Sequence, residues 1–299
     1  RDTLIAGVRW QDIPTHLAVR KIQAGNFSSA TADLLVNNWY GHITQNTTWG
    51  PGAYAITGDI TVDAGVTLTI QPGTTIYFQR NEDNESSGSD NTRCEMTVKL
   101  GGAVLALGTS TDSIKFLPSP GTTGLYDWYS IRVESGGTFR AAYCQFKNAY
   151  TGIDYQNSAN DTVKNCLFEK NFMHGIITKN GNLKILNSRF VDQGNFGVYL
   201  DAANATVSGC YFKNNTYAIN AYRSYGLLSN DTILITNTGA FNAGEFGLQA
   251  DGWQAGQTGF LTVANCLDSG QFFQAAVIAN NRLKIQDSRI RTYGTTPLP

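Results

Sequence analysis

Cys144-Gln145-Phe146, Cys166-Leu167-Phe168, Ser188-Arg189-Phe190 and Cys210-Tyr211-Phe212 succeed one another at a constant interval of 22 residues. The small leading residue continues at Thr238 and Cys266 after two steps of 28, and Ser288-Arg289-Ile290 comes next with a step of 22. A second marker runs beside the first: Gly152-Ile153, Gly175-Ile176, Gly197-Val198, Ala218-Ile219, Gly247-Leu248 and Ala276-Val277, at steps of 23, 22, 21, 29 and 29. Two markers that keep one period identify a single structural unit, repeated. Within the unit, runs such as Thr67-Leu68-Thr69-Ile70 and Leu183-Lys184-Ile185-Leu186 alternate as strands do, and helical spacing is rare. A unit this short holds two or three strands and cannot bury a face alone. Stacked at ~4.8 Å per coil, it pairs every strand in parallel and buries a continuous inward column. The predicted fold is all-β: a parallel β-helix, a solenoid of about 9–10 coils of roughly 22–28 residues.

The composition agrees and narrows the function. The 299 residues carry 22 Lys+Arg against 23 Asp+Glu, a net charge of −1, and only 15 % are charged. Binding nucleic acid through its phosphates needs a basic surface, which this balance does not supply. With 41 % hydrophobic residues the chain can bury a large core. No stretch approaches the ~18–20 apolar residues of a membrane span. With no initiator Met and no signal pattern at Arg1, the chain reads as a mature or trimmed piece of a secreted or cell-surface protein.

Residues 56–74 (ITGDITVDAGVTLTIQPGT) resemble the opening coils of bacterial secreted right-handed β-helix proteins, the pectate-lyase-like group. Residues 103–109 (AVLALGT), Ile114-Lys115-Phe116, Trp128, Ile131 and Tyr143-Cys144-Gln145-Phe146 are similar to the succeeding coils of such surface proteins. The resemblance runs from Tyr54 to Arg291 and implies the fold. It implies function only loosely, because the scaffold serves lyases, hydrolases, adhesins and passive stalks.

Residues 1–50 depart from the repeat and concentrate Trp10, Trp39, Tyr40 and Trp49; they read as an N-terminal cap or the end of a preceding domain, with the β-helix over 51–299. The polar stretch Asn81 to Asn91 (NEDNESSGSDN) has no apolar anchor and reads as a solvated insertion, since its carboxylates lack the spacing of a calcium loop. An Asn, Gly or Asp precedes each small marker (Asn165, Asn187, Gly209, Asn237, Asn265, Asp287), which suggests a ladder of amides along one turn.

The two long steps place their extra residues near 221–230 and 250–259, at one corner of neighbouring coils. These loops carry Tyr222, Arg223, Tyr225, Asp251 and Trp253, either rings that simply pack the loops onto the coil or a wall whose rings and charges suit a sugar. Cys144, Cys166, Cys210 and Cys266 occupy the inward marker, where Cys acts as a small hydrophobe, and no Cys/His spacing suggests zinc. His174 stands at a position that is apolar in most coils and reads as packed and hydrogen-bonded.

Catalysis by a lyase of the resembling group would need a calcium-binding carboxylate cluster. A hydrolase would need two or three carboxylates within about 5–10 Å. The outward acids Glu134, Asp154, Glu169, Asp192, Asp201 and Asp251 are scattered; Glu169 and Asp192 alone fall near one turn, with Lys147, Lys170 and Lys213 beside them. They are the weak catalytic candidates, and a charged ladder decorating the solvated edge is the preferred account of them. The functional expectation is a structural or adhesive module of a larger surface protein that binds polysaccharide or cell-surface glycan. A polysaccharide lyase or glycosidase is the alternative, and end-to-end self-assembly is a further arrangement open to such a solenoid. No cofactor or metal is expected, Ca2+ being the one ion left open.

Overall fold

A computed structural model describes residues 39–220 with their side chains, save 122, 123, 125, 158, 159, 202 and 204, and the strands outside that span by their backbone pairing. Every regular element described is a strand. The strands stack in three files. One is a 10-stranded parallel sheet from Thr47–Trp49 to Leu283–Gln286; the other two, typified by Cys144–Lys147 and Thr151–Tyr155, are joined in a 19-stranded sheet. One coil reads Thr138–Ala142, Cys144–Lys147, Thr151–Tyr155. Each of these strands pairs in parallel with its counterpart in the next coil, Ser158–Lys164, Leu167–Glu169 and His174–Lys179.

Parallel pairing begins before the expected boundary at residue 51: Asn38–Ile43 pairs with Gly52–Val62, and Thr47–Trp49 with Thr67–Ile70. Upstream, Trp10–Asp12, Leu17–Ala24 and Ala30–Val36 form an antiparallel sheet of their own.

The first marker is a vertical file. The main-chain N–H of Cys144 points at Cys166 Sγ (3.4 Å), and that of Cys166 donates to Ser188 Oγ (3.1 Å). Cys94, Cys144, Cys166 and Cys210 are buried free thiols. Burial pushes the Cys210 thiol up to about 12, which keeps it protonated. Two places on, Phe116, Phe146, Phe168, Phe190 and Phe212 are fully buried and stack at 4.7–4.8 Å. That spacing is the coil rise itself, so each ring lies flat on the next, worth ~0.5–1.5 kcal/mol per pair beyond the area buried. The glycine of the second marker makes room for this column: a Cβ on Gly152 would lie 2.8 Å from Cδ1 of Phe168.

The asparagines before the small marker serve the turn differently from expectation. Tyr143, Asn165, Asn187 and Gly209 all adopt positive φ (51°, 55°, 48° and 66°). The N–H of Asn165 donates to Leu186 O (2.9 Å) and that of Asn187 to Ser208 O (2.8 Å), so main-chain bonds carry this corner. Asparagine recurs there because it tolerates the left-handed conformation. A buried amide ladder stands instead at the next corner, where Asn171 Nδ2 donates to Gln193 Oε1 at 2.9 Å. Asn171 Oδ1, Gln193 Oε1 and Asn215 Oδ1 accept the main-chain N–H of Ala149, Asn171 and Gln193 at 3.0, 3.3 and 3.0 Å.

Candidate functional site

The third file turns its outer face to solvent. Val198 and Leu200 point into the core, which leaves Tyr199 outside with Phe196 beside it. Phe196 lies 5.0 Å from Tyr199, 4.6 Å from Tyr217 and 5.1 Å from the ring of His174. Lower on the same surface, Tyr129 stacks on Tyr150 at 5.0 Å, and Tyr126 lies 4.7 Å from Phe172. All these rings are half-buried. Tyr150 and Phe172, then His174 and Phe196, are one period apart, so the coil geometry superposes them. Planar rings facing outward along several coils are what the apolar face of a sugar packs against.

His174 belongs to this platform. It packs against Phe196, but its buried Nδ1 has no hydrogen-bond partner, so the expected hydrogen bond is not formed there. Desolvation lowers its pKa to about 4, and it acts as a neutral aromatic plate at physiological pH.

Of the predicted wall, Tyr222 and Asp251 are described by their backbone pairing. Tyr222 and Asp251 are register partners in adjacent strands, and Thr232–Thr236 pairs with Phe260–Ala264. The longer connections therefore leave from one corner, in agreement with the spacing. Arg223, Tyr225 and Trp253, with the side chains of Tyr222 and Asp251, lie outside the described residues.

Glu134, Asp154, Glu169 and Asp192 each have partners of their own. Glu134 is held by Lys99 at 2.6 Å, and Glu169 by Lys147 at 3.3 Å. Asp154 accepts from Gln156 Nε2 at 2.7 Å and faces Arg132 at 3.8 Å. Asp192 accepts from Asn214 Nδ2 at 3.0 Å. Glu169 stands in register with Val191, one residue short of Asp192, so the two candidates share a turn without facing each other. Among the described residues, no group of three or more His, Cys, Asp or Glu is placed to hold a metal ion.

Two further carboxyls raised by burial are ones that sequence reading passes over. Asp59 and Glu95 are 4 % and 1 % exposed, side by side beneath the acidic stretch. That stretch is anchored by polar bonds where apolar ones are lacking. The Asp83 carboxylate accepts the N–H of Asp59 (3.1 Å), Glu85 (3.0 Å) and Ser87 (2.9 Å), and Asn84 N–H donates to Thr57 O (3.1 Å). It closes over the outer face rather than waving in solvent. Ser87 Oγ donates to Asp59 Oδ2 (2.7 Å), Ser89 N–H to Glu95 Oε2 (3.0 Å) and Thr97 Oγ1 to Glu95 Oε1 (3.1 Å). The only signal of this in the sequence is the clustering of Asp, Glu and Ser around a long insertion.

Comparison with known proteins bears on the fold. The chain is similar to the catalytic unit of a thermostable GH87 α-1,3-glucanase from Streptomyces thermodiastaticus (11 % identity, TM-score 0.36), covering 84 % of this chain and 65 % of that one. It is also similar to endopolygalacturonase I from Stereum purpureum (13 % identity, TM-score 0.33), covering 88 % and 94 %. No curated protein matches the chain. Residues 123–268 match the family described as "Right handed beta helix region". With three files of parallel strands climbing one axis, the chain is a right-handed parallel β-helix.

Proposed function

We propose that the chain is a carbohydrate-binding β-helix module of a larger secreted or cell-surface protein, and that it binds without catalysing. The observation that carries this reading is the platform of stacked, half-buried rings formed by His174, Phe196, Tyr199 and Tyr217. Tyr222, Arg223, Tyr225, Asp251 and Trp253, carried on or beside the two long loops, are the further candidates for contact with the glycan. The engagement of Glu134, Asp154, Glu169 and Asp192 with partners of their own supports binding over cleavage. The Asp59–Glu95 pair is roofed by Ser87–Ser89, which likewise argues against its meeting a glycosidic bond.

The test is a glycan array, followed by reducing-end and unsaturated-product assays on every glycan retained. Binding without turnover is expected, with Tyr199→Ala and Phe196→Ala losing it. Turnover that vanishes in Glu169→Gln or Asp192→Asn would establish the lyase or glycosidase reading instead.

A further inference from the structure

The 10-stranded sheet, the file from Thr47–Trp49 to Leu283–Gln286, has a charge pattern of its own. Its strands contain one acid, Asp161, which is 2 % exposed and turns inward to accept the N–H of Phe139 at 3.2 Å. Its bases are Arg140, Lys164 and Lys184, exposed on three successive coils, and Lys284, which falls further along the register column of Lys184. Lys99, Arg132 and Lys147 each face a carboxylate. Arg140, Lys164 and Lys184 have no ion-pair partner among the described residues.

Leucines stand among these cations. Leu105 is the register partner of Arg140, and Leu186 that of Lys164. Leu107, 47 % exposed, ends the strand Ala103–Leu107, and Leu100, 65 % exposed, stands just before that strand begins. These two are the exposed large hydrophobics among the described residues. One surface satisfies both features: anionic headgroups attract the cations, and the acyl boundary takes up the leucines. A soluble polyanion would use the cations and leave the leucines in water. A single nucleic-acid strand would need outward rings for its bases, whereas Trp49 and Phe139 on these strands are fully buried.

We propose that this face lies on an anionic membrane surface, with Arg140, Lys164 and Lys184 at the headgroups and Leu105 and Leu107 at the acyl boundary. The chain rests on the bilayer without crossing it. The ring platform belongs to another file, so this assignment does not depend on carbohydrate binding.

Co-sedimentation of the full chain with vesicles tests this, using equimolar phosphatidylglycerol and phosphatidylcholine beside phosphatidylcholine alone. Binding to the anionic vesicles that weakens as salt rises, with little binding to the neutral ones, is expected. The net charge of −1 supplies no such attraction by itself. Arg140→Gln, Lys164→Gln and Lys184→Gln should each weaken binding about fivefold. Leu107→Ser should weaken it by about the same factor at every salt concentration. Lys115→Gln, which removes an exposed cation of another file, should leave it unchanged. Failure to bind anionic vesicles at low salt overturns the proposal, and so does an equal loss in Lys115→Gln. Vesicle binding that ignores Leu107→Ser, or retention on immobilised heparin without vesicle binding, makes the face a polyanion site and overturns the membrane assignment.

Discussion

The main-chain N–H of Glu95 donates to Asp59 Oδ1 at 2.8 Å, joining two acids 36 residues apart in the chain. Asp59 Oδ2 and Glu95 Oε1 each lie 2.6 Å from the point where a side chain on Gly88 would begin, so the two oxygens are within twice that distance of each other. Gly88 has φ 69°, and its missing side chain lets the loop close directly on the pair. Two carboxyls this close and this dry cannot both ionise without loosening what covers them.

Their titration sets a pH dependence. Burial raises Asp59 from 3.8 to about 7, and raises Glu95 as well. A carboxyl held above its unfolded value binds its proton more tightly in the folded chain. Its stabilising contribution is therefore complete below the ordinary value of 3.8 and is lost as pH rises through about 7. Melting temperature should fall between about pH 4 and about pH 7, with proteolysis at residues 81–93 accelerating in parallel. Asp59→Asn should flatten both curves. A parent chain that melts alike across that range would contradict the latch.

The phenylalanine column and the glycine marker are one device. Phe190→Ala should cost about 3–5 kcal/mol, read as a lower denaturation midpoint. Gly175→Ala should cost about 1–3 kcal/mol, because a Cβ there would meet Gly197 O at 2.6 Å as well as the Phe190 ring. Combining Gly175→Ala with Phe190→Leu should cost less than the sum of the two, since the smaller side chain removes the ring half of the clash.

The buried amide ladder is tested by Asn171→Ala. The change orphans the Ala149 N–H and removes the donor to Gln193 Oε1, a loss of about 1–3 kcal/mol. Hydrogen exchange at the Ala149 amide should accelerate far more than at Ile153 in the adjoining strand. Equal acceleration at both would show that the coil opens as a unit and that the ladder has no local role.

The exposed charge ladder should prove nearly neutral. Glu169→Gln breaks the 3.3 Å pair with Lys147, whose members are partly solvated, and should shift stability by ~0–1 kcal/mol. Asp192→Asn retains an acceptor for Asn214 Nδ2 and should do no more. A larger effect of either on thermal melting would mean that this turn contributes to the fold beyond its visible contacts.

Much of the architecture is legible in the chain itself. Inward residues obey the alternation of their own strand, and each coil repeats the last, so Cys144, Cys166 and Ser188 can be aligned by counting. The corner of the long loops emerges from the same counting. The asparagines before the small marker mislead because left-handed backbone and amide ladders favour the same residue, and counting cannot separate them. The acidic stretch misleads because its anchors are polar side chains that bond main-chain groups and hydroxyls, and such pairs leave no periodic trace in the sequence.

What the amino-acid order determined by itself was the period and the inward column, since these depend on local alternation and on a repeat that makes every coil its neighbour's template. The tertiary structure alone decided which outward residues meet. Asp59 reaches Glu95, and Tyr126 reaches Phe172, through loops of irregular length, and no period predicts where an irregular loop returns. Surface sites on a solenoid arise at such departures from the repeat, where chain closure rather than pattern chooses the neighbours.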